Sequence, residues 1–429
     1  MTIKLLQDYP PTFHRFLAAD SLILMSLTIG QVVLPWLIAQ HGGARDLATF
    51  GFSIALMTFV AMPALSPLGD RLPQQWLIRL GLSLYTVEAV AIALMSSFGV
   101  YSITGIILLE MGGVACYSLV SPIMSNVPAD ILPPTALSKG MALQKGLQSV
   151  GRFIGPVLAG LVLASFGTSA ALWLHALLLF GAIVFAGRLG LTSEAKPAPA
   201  GGRLRQWRRD LARGAKAIWG VPIERYWSLV NFVSWLFAGP AVGMLVPLKV
   251  QSLGLSGAWL ASCEAGLAIG VFAGSFYLAK RIIERLGRYA TRAASGLVLG
   301  LSLSLAGVAH SGYLLVAAFA LCGLSNSTLL LVGLTHRTLA RPRAFRSRMS
   351  GATMTLNQIA SAAGPALAGV LLTHWSISSV YGAFGVMTAL VASTILLVRG
   401  FQEFMSLDHE AVDGWYGRQF PAAFADEVA

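Results

Sequence analysis

Apolar stretches of a constant length, separated by short polar connections, recur along almost the whole chain. A helix rises 1.5 Å per residue, so crossing about 30 Å of hydrocarbon takes roughly 20 residues. Windows of that length predict spans at 16–39, 47–69, 76–97, 101–124, 139–164, 169–188, 226–249, 258–279, 289–309, 313–335, 350–373 and 378–399. The pattern is that of an all-α membrane protein with about twelve transmembrane helices, of which the fourth has the least distinct end, at Asn126, Pro128 and Asp130. The longest connection, 189–225, separates a half at 16–188 from a half at 226–399, with a segment 1–15 before them and a tail 400–429 after.

That connection begins with a Pro/Ala/Gly-rich stretch from Ala195 to Gly202 and then turns basic, with Arg203, Arg205, Arg208, Arg209, Arg213 and Lys216. Leu204, Trp207, Leu211, Ala215 and Ile218 recur at helical spacing between these cations. The spacing suits a helix lying on an anionic membrane leaflet, and equally a solvated linker helix. Lys and Arg accumulate on the cytoplasmic side of membrane proteins. With both termini inside, only Arg45 and Lys249 fall in outward connections, which makes the inner (cytoplasmic) membrane with this orientation the expected location.

Composition sharpens the class. Of 429 residues 56% are hydrophobic and 11% charged, against about 25% charged in an ordinary soluble domain, and the mean hydropathy is +0.71. No room is left for a sizeable soluble domain. The net charge of +12 does not predict a nucleic-acid partner, because the cations lie between apolar segments and not on one polar surface. Cys116, Cys263 and Cys322 fall in different spans without CxxC pairing, which predicts neither disulfides nor a thiolate metal site. The first apolar run follows Lys4, Asp8, Pro10 and Pro11 and is too long for a signal-peptide core, so it is expected to stay as an uncleaved span.

An internal repeat supplies the architecture. Gly155-Pro156-Val157-Leu158-Ala159-Gly160 returns as Gly364-Pro365-Ala366-Leu367-Ala368-Gly369, 209 positions later. The same offset carries Pro133 onto Pro342, Ser138 onto Ser347 and Lys139 onto Arg348, and brings Asp70 and Arg71 close to Lys280 and Arg281. A shared offset over several features predicts two homologous six-helix halves, a known transporter plan.

Between the second and third spans the chain reads Ser66-Pro67-Leu68-Gly69-Asp70-Arg71-Leu72-Pro73-Gln74-Gln75. Over roughly 13–399 the sequence resembles the major facilitator superfamily, whose signature Gly-x-x-x-Asp-Arg-x-Gly-Arg-Arg occupies that place. The Asp-Arg centre is kept, and Gln74 and Gln75 replace the basic pair. The resemblance implies the superfamily fold, with two pseudo-symmetric six-helix halves, and a gating loop at Asp70 and Arg71, where a carboxylate and a guanidinium can bridge helix ends. Gly151, Gly155, Pro156, Ala159 and Gly160 resemble the family's antiporter motif, with Ala142 where its first glycine would stand, and this implies export. Val33 to Gln40 (Val-Leu-Pro-Trp-Leu-Ile-Ala-Gln) looks most like the branch of macrolide and enterobactin-type siderophore exporters. The expectation is a secondary active exporter of an amphipathic organic compound such as a drug or siderophore, driven by proton antiport and acting as a monomer. Membrane lipid is its other partner. The alternatives are a lysophospholipid flippase and a transporter-like sensor.

Ionisable residues inside a membrane are costly and mark functional sites by default. Asp20, Glu88, Glu110 and Glu264 qualify as proton-coupling candidates. Glu88, about 12 residues into its span, Glu110, about 9 below the outer end of its own, and Arg152, about 13 up, share a depth of roughly 20 Å. Glu110 is therefore expected to pair with Arg152, and protons or a cationic substrate at Glu88 or Glu110 to compete with that pairing; a static bridge is the simpler reading. Asp20, about one turn into its span, could instead complement a helix end, and Glu264, near the outer end, could be hydrated. Gln31, Tyr117, Asn231, Asn326 and Gln358 are candidates to line the cavity, although interhelical hydrogen bonding is the commoner role of such residues. Trp36 and Trp235 could stack on a substrate.

Histidines at 14, 41, 175, 310, 336, 374 and 409 show no metal-binding spacing, and no GxxxxGK[ST] loop occurs. An enzyme, an ATP-driven pump, a cofactor and a metal are not expected. The tail from Gln402 to Ala429, with its six acids, reads as a flexible cytoplasmic segment.

Overall fold

The computed structural model describes residues 9–65, 72–191 and 203–427, which are helical almost throughout. The helices are α1 (Pro11–Leu65), α2 (Gln74–Ser97), α3 (Ile103–Ile131), α4 (Pro134–Ala186), α5 (Arg203–Gly220), α6 (Pro222–Val242), α7 (Leu245–Ser252) and α8 (Gly257–Ala273). After a π-helical turn at Gly274–Leu278 come α9 (Ala279–Val308), α10 (Gly312–Ala340), α11 (Arg346–Leu372) and α12 (Ile377–Thr394). The short helices α13 (Phe401–Ser406), α14 (His409–Val412) and α15 (Trp415–Gln419) form the tail.

Eight of these helices are long and apolar enough to cross a membrane. Two of the eight, α1 and α4, each hold two spans, because Gly43 (φ 63°, ψ −156°) and Gly167 (φ 84°, ψ 178°) break them. Backbone in that region is open essentially to glycine alone. A third break, at Gly287 (φ 75°, ψ 163°), divides α9. Its first part continues α8 through the π-helical turn, and its second part is a span of its own. α6 and α7 meet at 44° and make one broken span. Among the described residues the spans therefore number twelve, with longer ends than hydropathy suggested: α1 starts at Pro11, α3 runs through Pro122 and Pro128 to Ile131, and α10 reaches Ala340.

The chain forms two compact units, one of residues up to 203 with 256–261, the other of 204–255 with 262–429. The repeat has a physical meaning inside each. A side chain at Gly155 would overlap Thr28 on α1 and come within 3.2 Å of the Met25 carbonyl. A side chain at Gly364 would lie 2.8 Å from the Leu236 carbonyl and 2.9 Å from Pro240 on α6. In both units, then, the helix carrying the Gly-Pro pair presses against the first span of its own half. Lipid supplies no hydrophobic drive between helices, so close backbone approach through small residues is what holds them.

Two expectations fail here. The tail is ordered: Phe401, Phe404, Met405, Val412 and Tyr416 are buried in one core cluster with Trp227, Phe345 and Met349. Asp413 pairs with Arg346 at 2.6 Å, and Gly414 N–H donates to the Leu339 carbonyl at 2.9 Å. Its apolar residues outweigh the acids that suggested a solvated segment. Lys249 is not an outer-loop charge either. It is buried, and its Nζ donates to the Gly307 carbonyl and to Ser378 Oγ, both at 2.8 Å, capping the last turn of α9 as a cation suits a helix C-terminus.

The linker helix α5 buries Gly214, Ala217 and Ile218, with Leu211 half-buried, and exposes Ala215, so its packed stripe is rotated from the predicted one. The side chains of Leu204 and Trp207, the stretch from Ala195 to Gly202, and Asp70 with Arg71 lie outside the described residues.

Gly167→Ala and Gly287→Ala are each expected to destabilise the protein by about 1–3 kcal/mol. Gly351→Ala, where the added methyl meets nothing within 4 Å, should be neutral or stabilising. Thermal unfolding in detergent, followed by tryptophan fluorescence, reads all three.

Candidate functional site

α2 and α3 bring Glu88 and Glu110 together in the first unit. Their carboxyl groups interact with each other. Glu88 is 5% exposed, and neither of its oxygens, nor Oε2 of Glu110, has a hydrogen-bond partner. Room for the Glu88 carboxyl comes from Gly113, one turn along α3 from Glu110: a side chain there would lie 2.9 Å from Glu88 Oε2 and 2.9 Å from the Tyr85 ring. Tyr85 is buried one turn before Glu88, and its ring meets His175 edge-on at 5.9 Å. His175 Nδ1 lies 2.8 Å from the Ser26 carbonyl and 2.7 Å from Ser26 Oγ, whose hydroxyl donates to the His175 carbonyl at 2.8 Å. With the hydroxyl hydrogen so used, Nδ1 carries the ring proton. A polar seam thus crosses the interior of the unit from α3 through α2 and α4 to α1.

No hydrogen bond or ion pair joins Glu110 to Arg152. Arg152 is exposed and helps to line a cavity of about 240 Å³ with Asp20, Tyr117, Ser121, Met124, Met141 and other residues of α1, α3 and α4. Arg152 lies instead with Tyr117 and Ser121, about two turns or more along α3 from Glu110. Residues 144, 148 and 152 lie on one face of α4 and look toward Asp20. Glu110, Gly113 and Tyr117 lie on one face of α3, so that face carries both the carboxyl pair and a wall of the cavity.

Asp20 Oδ2 accepts from Gln144 Nε2 at 3.1 Å and from Gln148 Nε2 at 2.9 Å. Lys145 Nζ donates to Gln148 Oε1 at 3.1 Å and lies near the carboxylate. Since α1 begins at Pro11, Asp20 sits more than two turns inside it. The helix-end explanation therefore fails, because the dipole effect fades within the first turn. The cavity holds two cations, Lys145 and Arg152, against one carboxylate.

The other candidates are dispersed. Glu264 is half-buried on α8, near Cys263 and Tyr381. Gln31 is exposed on α1, and Asn326 and Gln358 are half-buried on α10 and α11. Asn231 Oδ1 accepts from Arg292 Nη2 at 3.3 Å, an interhelical bond. Trp235 donates to Ser361 Oγ at 2.9 Å, and Trp36 is buried. In the antiporter-like segment Gly151, Gly155, Ala159 and Gly160 are buried and Pro156 is half-buried, so their evident work is helix packing.

Sequence reasoning missed a buried charge cluster in the second unit. Glu224, fully buried at the start of α6, accepts from Arg337 Nε at 2.9 Å, Arg341 Nη2 at 2.5 Å and the Tyr416 hydroxyl at 3.1 Å. Arg337 also donates to Ser228 Oγ at 2.6 Å, and Arg292 and Arg337 stack on Trp227. Burial and the adjacent carboxylate push the Tyr416 phenol well above its ordinary range. The predicted boundaries had left Glu224 and Arg337 outside the spans. His175 was missed because histidines were judged by metal spacing alone; as the ionisable residue of an apolar span it already satisfied the rule applied to the acids.

Six spans in each of two units, and a polar seam beside a small cavity, define a multi-span membrane transporter. The chain belongs to the Major Facilitator Superfamily: the family profile matches residues 17–300 and 265–403. No curated protein sequence matches, and nothing among the comparisons supports the narrower macrolide or siderophore branch. Solved structures share the fold at low identity. A POT family transporter in complex with 5-aminolevulinic acid is 13% identical with a TM-score of 0.71, covering 92% of this chain and 97% of its own. The nucleoside transporter NupG is 12% identical with a TM-score of 0.68, covering 93% and 100%. The human organic anion transporter MFSD10 (TETRAN) is 18% identical with a TM-score of 0.57, covering 90% and 100%.

Glu224→Gln is expected to destabilise the fold by about 3–5 kcal/mol, since it leaves buried arginines without their carboxylate, and Tyr416→Phe by about 1 kcal/mol. The phenol's contribution is complete below its unfolded pKa near 10 and declines as pH rises above it. Thermal unfolding measured from pH 7 into the alkaline range should therefore fall less steeply for Tyr416→Phe than for the native protein.

Proposed function

We propose that this transporter exports an amphipathic organic compound across the inner membrane in exchange for protons, by alternating access. One observation carries the reading: two carboxyl groups, Glu88 and Glu110, face each other in the interior with no cation paired to them among the described residues. Two like charges so placed repel each other, and a proton taken up by either carboxyl relieves that repulsion. Tyr117 lies about 10 Å along the same face of α3 and lines the cavity holding Asp20 and Arg152. Proton site and cavity therefore share one helix, and a change at either is transmitted by that helix.

The cavity suits a substrate with an apolar body and an anionic or zwitterionic end. Met124, Met141, Ile23 and Leu24 supply adaptable apolar walls, and Arg152 supplies a cationic anchor beyond the charge that Asp20 balances. This reverses the expected substrate charge, because the acids are withdrawn into their own pair. Export is supported by the antiporter-like segment from Gly151 to Gly160, and the gating role of Asp70 and Arg71 belongs to the same proposal.

Inside-out vesicles with an imposed pH gradient, supplied in the medium with dyes, macrolides and siderophores of either charge, test the reading. Glu88→Gln and Glu110→Gln are each expected to reduce gradient-driven uptake at least tenfold. Arg152→Gln should raise the half-saturating concentration of anionic substrates about tenfold, a loss of about 1.4 kcal/mol, and leave the response to the gradient intact. Uptake independent of the gradient and unchanged in both acid variants would sink proton exchange, and competition by lysophospholipids with headgroup preference would favour a flippase.

A further inference from the structure

We propose that the outer face of α5, together with the first turn of α6, is a docking surface for the anionic headgroups of membrane phospholipids. The rotation of α5 about its axis is fixed by packing. Gly214 lies so close to the Arg348 carbonyl that any side chain would collide with it, Ala217 and Ile218 are buried in the core cluster of the second unit, and Gly220 faces Ala423 of the tail. What remains outside is Arg209, Arg213 and Lys216, all exposed within two turns, and Trp219, 62% exposed.

Pro222 begins α6, a membrane-crossing element, two residues after α5 ends. The end of α5 is thereby held at the level where lipid headgroups meet the hydrocarbon. Arg225 sits over the ring of Trp219 at 5.6 Å and over that of Tyr226 at 5.2 Å, and Tyr226 is 45% exposed. Amphipathic rings of this kind favour the membrane interface, and a guanidinium on their faces stays available to phosphate oxygens at its edge. Asp210 is the one acid in the sequence of α5, against Arg209, Arg213 and Lys216, and Glu224 at the start of α6 is buried and held by Arg337 and Arg341.

Charge selects the occupant. A row of cations beside interfacial aromatics complements an anionic bilayer surface, where each Lys or Arg contributes about 1 kcal/mol. That corresponds to about fivefold in affinity per residue, and to about a hundredfold for three. A nucleic acid would use the cations and leave the rings, flush with a spanning helix, without a role.

The full-length protein in neutral detergent, titrated with mixed micelles of brominated phosphatidylglycerol or brominated phosphatidylcholine, provides the test. Phosphatidylglycerol should quench a component of tryptophan fluorescence that is missing in Trp219→Phe. The combined Arg209→Gln, Arg213→Gln, Lys216→Gln variant should need about a hundredfold more of it, and phosphatidylcholine should quench that component far less. Equal quenching by the two lipids, or native-like titration of the triple variant, overturns the proposal. So does preferential binding of an RNA oligonucleotide through the same three residues. If the triple variant does not fold, the comparison of the two lipids on the native protein and on Trp219→Phe decides.

Discussion

Helices in hydrocarbon gain little by hiding apolar surface from one another, since the lipid tails are as apolar as they are. Their association depends on how closely backbones approach and on the polar groups they can pair. In this transporter glycine sets the approach. Gly155 and Gly364 seat the equivalent helices of the two units on the first span of each, and Gly266, Gly270 and Gly274 lay α8 and its π-helical extension against α10. The polar groups then have defined places. Gly113 leaves the space that the Glu88 carboxyl fills, and Gly30 the space beside the His175 ring. Close packing and buried chemistry are in this sense one design, because a residue chosen for having no side chain creates both the contact and the pocket.

The two units treat buried charge in opposite ways. In the second, Glu224 is saturated by two guanidiniums and a phenol, and the cluster ties α6, α10 and the tail into one body. In the first, the carboxyl pair has no such partner, and the Asp20 group is held by carboxamides and flanked by cations. A carboxylate held by two guanidiniums and a phenol is fixed in place, even though Arg341 Nε is left without a partner, whereas the carboxyl pair of the first unit lacks any such donor. The contrast ties the proposed proton site to the unit whose buried carboxyls are not held by cations.

Much of this was legible in the sequence. Twelve spans follow from apolar length, and the Gly-Pro repeat found by offset alone marks equivalent contacts in the two units. The candidate site was legible in one dimension only. Hydropathy predicts a common depth for Glu88, Glu110 and Arg152, but boundary error of a few residues blurs depth and hydropathy carries no azimuth, and Arg152 lies with Asp20 and Tyr117 away from Glu110. The same error left Glu224 and Arg337 outside the predicted helices, whereas α6 and α10 extend to include them and bury them. The tail was misread for a compositional reason: its acids are evenly spread, and one of them, Asp413, is an ion-pair partner of Arg346.

The buried tail also bears on the order in which the molecule can be assembled. A ribosome makes residues 401–420 after every span of the second unit, yet Phe401, Phe404 and Tyr416 fill that unit's core and Tyr416 completes the shell of Glu224. Until those residues emerge, the inserted helices surround an unfilled hole and a carboxylate short of a donor. Completion of the second unit therefore follows synthesis of its last span, and a nascent chain halted just after that span would present this gap to the quality-control machinery of the membrane.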